Sequence, residues 1–199
     1  VMKMLTRRFD LDAGVSSGQP LRITLEHSPC LGLCEHAPAI TVSGRPVAPF
    51  QRESYEALYA GRAARPHSRV YRTANRLTGN CGRGHTTSLD EYMQSGGYQG
   101  LRQALSRPPE AVIAEVKQAG LVGRGGAAFP TGLKWEGARS AVGETRYVVC
   151  NADEAEPGTF KDRVLLEDDP HLPLEGLIIA AYAIGAPKGY IYIRGEYLY

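Results

Sequence analysis

The sequence predicts an α/β protein, and three segments near its end carry that prediction. Arg146 to Cys150 (RYVVC) is an apolar run of strand length. Leu174 to Ile184 is a longer apolar run stopped by Gly185, and Gly189 to Arg194 (GYIYIR) is a second strand rich in β-branched and aromatic residues. Strand, helix, strand in that order reads as a parallel βαβ unit. A smaller α/β piece lies near the start. Leu21, Ile23 and Leu25 alternate with Arg22 and Thr24, the period of a half-buried strand. A loop carrying Cys30-Leu-Gly-Leu-Cys34 follows. Ala39–Val42 reads as a second strand, Ser43-Gly44 as a turn leading to Val47, and Ser54 to Ala60 as a short helix closed by Gly61.

Between these pieces the chain changes character. From Gly61 to Thr87 it carries Arg62, Arg65, Arg69, Arg72, Arg76 and Arg83 without periodicity, the composition of a solvated basic linker. Cys81 and His85 stand there at a C-x3-H spacing, but structural zinc wants four ligands and two make a weak signal. Leu89 to Leu105 has helical patches broken by Gly96-Gly97. A better helix runs from Pro109, suited to a first turn, to Ala119, with Gly120 as its stop and Val112, Ile113, Val116 and Ala119 as its apolar face.

Composition narrows the function classes. Hydrophobic residues at 43% and charged residues at 22% are globular values, which sets aside a disordered or collagen-like chain. A net charge of +2 gives no reason to expect nucleic acid or an anionic membrane as partner. The longest apolar run, Leu177 to Ala186, is far short of the roughly 20 residues that span a bilayer, so no direct membrane insertion is expected. No secretory signal is visible, and the irregular spacing of Cys30, Cys34, Cys81 and Cys150 is not a disulfide framework. The expected compartment is the cytoplasm. The start at Val1 and the stop at Tyr199, just after a strand, read as those of a piece of a longer chain.

Ligands of open parallel sheets bind beyond the carboxyl ends of the strands. Here the first strand runs into Asn151-Ala-Asp153-Glu154-Ala-Glu156-Pro-Gly158, and the second into Gly195-Glu196. That loop reads equally as a solvent-facing acidic turn. Upstream, Gly123-Arg124-Gly125-Gly126-Ala127-Ala128-Phe129-Pro-Thr-Gly132 contains G-x-G-x-x-A. It follows a helix rather than a strand, and Phe129-Pro130 interrupts the helix that should open there, so a standard dinucleotide fingerprint is rejected. The glycines can still present consecutive N–H groups to a phosphate. With Phe129 as a stacking face and Lys134 as a cation, they make a candidate nucleotide or flavin pocket.

These residues resemble a known family. GLVGRGGAAFPTGLKW (Gly120–Trp135), VVCNADEAEPGTFKDR (Val148–Arg163), LEDDPHLPLEG (Leu166–Gly176) and YIYIRGEY (Tyr190–Tyr197) resemble the flavoprotein (51 kDa, F-type) subunit of NADH:quinone oxidoreductase. Its relatives include the diaphorase subunits of NAD-dependent formate dehydrogenases and NAD-reducing hydrogenases. The segment Asp90–Leu105 fits the start of that domain. The stretch around Cys30 and Cys34, followed by Glu35-His36-Ala37-Pro38, resembles the later cysteine pair of the thioredoxin-like [2Fe–2S] ferredoxin (24 kDa, E-type) subunit.

The resemblance implies a partial ferredoxin-type domain at 1–61, a basic linker at 62–87 and part of a Rossmann-like FMN-binding domain at 88–199. It implies hydride transfer from NADH to FMN, with electrons passing singly to iron–sulfur clusters. Gly123, Arg124, Gly125, Gly126 and Ala127 would wrap FMN and the dinucleotide. Phe129 would stack on NADH, and Lys134 would lie near the flavin. Asn151, Asp153 and Glu154 would hydrogen-bond FMN, and Glu156 the nicotinamide side; no side chain is expected to act as acid or base. Cys30 and Cys34 would supply half the ligands of a [2Fe–2S] cluster, while a [4Fe–4S] domain is expected beyond Tyr199. Either the earlier cysteine pair precedes Val1 or the small domain is structural only. Two resemblances in one chain imply a fused diaphorase subunit, with iron–sulfur subunits of a larger dehydrogenase as partners. Such a complex could be peripheral to the inner face of the membrane. The alternative is a scaffold or electron-transfer subunit that keeps the fold without flavin.

Overall fold

A computed structural model of the chain describes residues 1–9, 24–28, 30–51, 53, 54, 57, 66–71, 76–82, 87–143 and 145–197. The chain divides into two compact units. One comprises Val1–Ser68, Ala155–Phe160 and Gly195–Tyr199, and the other Arg69–Glu154 and Lys161–Arg194.

In the first unit, helix α1 (Met2–Phe9) buries Leu5 against Val47 and Phe50, with Met4, Leu25 and Ile40 packed around them. Strands β1 (Ile40–Val42) and β2 (Arg45–Val47) form the expected hairpin, with Ile40 opposite Val47 and Val42 opposite Arg45. Its two turn residues both have positive φ, 50° at Ser43 and 78° at Gly44, which gives the turn a twist that matches paired strands. Of the other strand expected here, Thr24 and Leu25 lie in irregular backbone and Leu21–Ile23 fall outside the described residues. The expected helix at 54–60 falls mostly outside them too.

In the second unit, α2 (Leu89–Gln94) is capped by the Ser88 hydroxyl, which accepts the Glu91 N–H at 3.2 Å. The break expected at Gly96-Gly97 is present, and Gly96 takes φ +95°. Next come α3 (Gln99–Leu105) and α4 (Pro109–Gln118), with Pro109 in the first turn and Gly120 at φ +63° beyond the last. Helix α5 (Thr131–Ser140) opens directly after Pro130. No helix opens within the glycine motif itself; α5 starts only past Phe129-Pro130, where the first turn has no intrahelical use for the N–H that proline lacks. Ala119, assigned to the apolar face of α4, is exposed, whereas Val112 and Ile113 are buried.

Strand β3 (Tyr147–Ala152), α6 (Lys161–Asp168), α7 (His171–Ile184) and β4 (Lys188–Ile193) complete the unit. β3 and β4 are parallel, from Tyr147 opposite Lys188 to Ala152 opposite Ile193. The βαβ unit is therefore present, with α6 inserted before its long helix. Gly185 ends α7 in the left-handed conformation at φ +75°. The core joins Ala104 of α3, Val112 and Ile113 of α4 and Ala183 of α7, flanked by Trp135, Ile179 and Tyr182.

One glycine is fixed by the space its neighbour occupies. A Cβ on Gly97 would fall 2.1 Å from Cδ1 of the buried Tyr92 ring. Gly97→Ala is expected to push that ring aside at a cost of about 2 kcal/mol. Chemical denaturation checks this, and a loss below about 0.5 kcal/mol would mean the ring has room to move.

Candidate functional site

The glycine loop joins α4 to α5 within the second unit. An isolated antiparallel bridge between Val122 and Pro130 closes its base. The Gly123 N–H donates to the Phe129 carbonyl at 2.9 Å, and the Thr131 N–H to the Leu121 carbonyl at 2.8 Å. Everything between, from Gly123 to Phe129, is exposed. A Cβ on Gly125 or Gly126 would meet nothing within 4 Å, so the loop is open at these two positions. Gly126 needs its glycine for another reason: its φ of +141° is closed to ordinary side chains. Phe129 is 56% exposed, unusual for so large an apolar ring, and exposed Lys134 lies in the first turn of α5. The loop thus offers unblocked backbone, an aromatic face and a cation at the start of a helix, which is chemistry suited to a phosphate with an attached ring.

The second group sits at the carboxyl end of β3. Asn151 and Asp153 are exposed, and the Asn151 Oδ1 accepts the Asp153 N–H at 3.1 Å. Glu154 behaves differently. It is 4% exposed, and its carboxylate turns back to accept the Asp162 N–H at 3.0 Å and the Arg163 N–H at 3.3 Å. These N–H groups lie in the first turn of α6, where a negative charge is favoured. Lys161 Nζ lies 3.4 Å from the same carboxylate, and Arg194 donates to the Glu154 carbonyl oxygen. The side chain expected to face a flavin is engaged in holding a helix end.

Glu156, Cys30 and Cys34 lie in the first unit. Glu156 is exposed in a turn where its carbonyl accepts the Thr159 N–H at 3.0 Å. Cys30 is half-buried and Cys34 exposed, and neither is in a disulfide. The Gly32 N–H donates to Cys30 Sγ at 3.3 Å, the kind of bond that a cluster-ligating sulfur accepts. Two thiols are half of the four that a [2Fe–2S] shell takes. Cys81 and Cys150 belong to the second unit, Cys81 fully buried and Cys150 with its thiol pushed up by burial and by the charge of Asp162. Among the described residues no group of three or more His, Cys, Asp or Glu could hold a metal. His85, of the C-x3-H pair, falls outside them.

Sequence reasoning missed what the acidic segment LEDDPHLPLEG does. Asp168 accepts the Gly82 N–H at 2.7 Å, and Asp169 accepts the Asn80 amide at 3.0 Å, which ties residues 80–82 to the junction of α6 and α7. Glu175 accepts the Tyr92 hydroxyl at 2.6 Å, the Tyr98 N–H at 2.8 Å and the Leu101 N–H at 2.9 Å. A charged residue inside the apolar Leu172–Ile184 run was the signal that could have found it.

Residues 116–199 match the family described as the Nuo51 FMN-binding domain. The chain is 55% identical over 125 residues to the F-type subunit of the NADH-quinone oxidoreductase of Aquifex aeolicus, covering 63% of this chain and 29% of that one. It is 49% identical over 120 residues to the HndC subunit of the NADP-reducing hydrogenase of Solidesulfovibrio fructosivorans, covering 60% and 24%. A crystal structure of an NAD+-reducing [NiFe]-hydrogenase in the air-oxidised state superposes with a TM-score of 0.74 at 32% identity, over 98% of this chain and 34% of its own. The chain spans about a quarter to a third of the length of these relatives. Among the described residues no helix is long and apolar enough to cross a membrane. The chain thus resembles the F subunits of NADH-quinone oxidoreductases and an NAD+-reducing [NiFe]-hydrogenase, and its residues 116–199 match the Nuo51 FMN-binding domain.

Proposed function

We propose that this chain is part of an NADH dehydrogenase (diaphorase) module that passes a hydride from NADH to FMN and single electrons onward to iron–sulfur clusters. The observation that carries the reading is the open glycine loop, closed only at its base by the Val122–Pro130 bridge, on a segment that matches an FMN-binding domain. FMN, when bound, supplies the two-electron to one-electron conversion. The chain's own residues bind and orient. The loop of Gly123, Arg124, Gly125, Gly126 and Ala127 would wrap the phosphate, through N–H groups other than that of Gly123, which bonds the Phe129 carbonyl, and Lys134 would neutralise charge beside the ring. Phe129 would stack on NADH, Asn151 and Asp153 would orient FMN, and Glu156 would face the nicotinamide. Glu154 would act on FMN through the backbone it fixes rather than through its carboxylate, which the start of α6 occupies.

The division into a ferredoxin-type part (1–61), a linker (62–87) and a flavoprotein part (88–199) goes with this reading. In it, Cys30 and Cys34 would supply two of the four sulfurs of a [2Fe–2S] cluster. A cytoplasmic module docked to iron–sulfur subunits of a larger dehydrogenase, peripheral to the membrane where that complex is membrane-bound, fits the same picture. The test is anaerobic addition of NADH to the protein at its natural length while flavin absorbance is followed. Bleaching supports hydride transfer to bound FMN. A protein that takes up no flavin, or whose flavin never bleaches, leaves the non-catalytic scaffold as the better reading. Lys134→Ala is expected to weaken FMN binding about tenfold, the scale of one charge-assisted hydrogen bond. Fluorescence titration of FMN checks this, and an unchanged affinity removes Lys134 from the site.

A further inference from the structure

We propose that Arg194 is a positioning residue for FMN, acting by clamping the backbone of residue 154 at the carboxyl edge of the β3–β4 pair. The proposal rests on the FMN reading above and adds to it a residue from the other strand. The parallel register ends with Ala152 opposite Ile193, so the chain leaves both strands at the same level. Arg194 is the first residue past β4, and its guanidinium reaches across to donate to the Glu154 carbonyl, two residues past the end of β3. From its other side, residue 154 is held by its own carboxylate, which accepts the Asp162 and Arg163 N–H groups of α6 at 3.0 and 3.3 Å.

Residue 154 is therefore held twice, by α6 through its side chain and by β4 through its carbonyl. Between the β3–β4 ladder, which ends at Ala152, and this anchor lies Asp153, whose N–H donates to Asn151 Oδ1 at 3.1 Å. Both of those side chains are exposed and able to meet a ligand, while Glu154 is buried. A two-point anchor one residue further along fixes where Asp153 points, and a planar guanidinium on a carbonyl is a directional way to set it. Pre-set polar groups of this kind gain affinity by removing the ordering cost at binding. Arg194 touches no reacting atom in this scheme; it acts through Asp153.

The test compares wild type, Arg194→Gln and Arg194→Lys at natural length, each reconstituted with FMN. FMN affinity, the midpoint potential of bound FMN and the thermal midpoint of the protein without FMN are measured. Arg194→Gln is expected to weaken FMN binding about tenfold and to shift the flavin potential, with the thermal midpoint kept. Arg194→Lys, which keeps a charged donor, is expected to return affinity to within about threefold of wild type. Wild-type affinity and potential in Arg194→Gln overturn the proposal and leave the FMN reading standing. Loss of fold together with FMN makes Arg194 a structural residue and overturns it as well. A wild type that takes up no FMN brings down the flavoprotein reading itself, and this proposal with it.

Discussion

Replacing Glu175 by alanine is expected to destabilise the fold by about 3–5 kcal/mol, near the upper end for a single substitution. Glu175 stands on α7 with 8% of its surface exposed, and its carboxylate is the meeting point of three chain segments. It accepts the Tyr92 hydroxyl from α2 at 2.6 Å, the Tyr98 N–H at 2.8 Å and the Leu101 N–H at 2.9 Å. The last two belong to the start of α3, whose N-cap, Tyr98, is in the left-handed conformation and has no side-chain cap of its own. Glu175 thus caps a helix to which it does not belong. Truncation leaves a buried phenol and two partly buried backbone N–H groups without that acceptor, and a buried group left unsatisfied costs about 1–3 kcal/mol. Urea unfolding of wild type and variant measures it. A loss under about 1 kcal/mol would mean that water replaces the carboxylate and that the junction is not dry.

The same carboxylate makes stability depend on pH in a defined sense. Burial alone would raise its pKa, but hydrogen bonds from Tyr92 and from the Leu101, Tyr98 and Gly100 backbone outweigh burial and hold it below the usual carboxylate range. A folded value below the unfolded one contributes stability that is complete above the unfolded pKa, about 4.3, and is lost as pH falls through the folded value. Asp169 runs the other way. Burial raises it, the bonds from Asn80 and the Leu172 backbone offset that only in part, and its contribution is lost as pH rises. The readable quantity is therefore a difference: between pH 7 and pH 3 the stability curve of Glu175→Gln should fall less steeply than that of wild type. Parallel curves would show that Glu175 titrates alike in the folded and unfolded chain.

What could be read from the sequence follows from which interactions are local. Pro109 and Gly120 punctuate α4, Gly96-Gly97 break α2 from α3, and the apolar runs of β3, α7 and β4 needed no partner to be recognised. Helix α1 was missed although Met2, Leu5 and Phe9 stand at i, i+3 and i+7, a helical stripe confined to eight residues. Helix α6 was missed because KDRVLLED is mostly charged, and its start is stabilised by Glu154, eight residues before the first N–H it binds. Helix α5 was missed because it contains Gly132 and Gly137, poor helix formers that only tertiary packing can hold. The glycine loop was legible as a ligand-binding candidate, since φ requirements and lack of Cβ are properties of single residues. The direction of the Glu154 carboxylate and the reach of Arg194 were not, because both depend on neighbours distant in sequence.

Gly132→Ala is expected to cost about 3 kcal/mol, and to weaken FMN binding by more than the stability loss accounts for. A Cβ at residue 132 would lie 2.7 Å from the Lys117 backbone nitrogen and 2.9 Å from its Cα. These are backbone atoms of α4, so the strain cannot be relieved by turning a side chain; the two helices must separate. Gly132 is also two residues past Pro130, one half of the bridge that closes the glycine loop. The other half, Val122, follows α4 across Gly120. The loop is therefore a strap whose two ends are carried by the two helices. Moving α5 away from α4 pulls Pro130 from Val122 and opens the Gly123–Phe129 hydrogen bond at the base. A variant whose folded fraction binds FMN with wild-type affinity would show that the loop keeps its shape without the close helix contact. A variant that stays folded but has lost FMN would show that the approach of α4 and α5 at Gly132 sets the geometry of the cofactor loop.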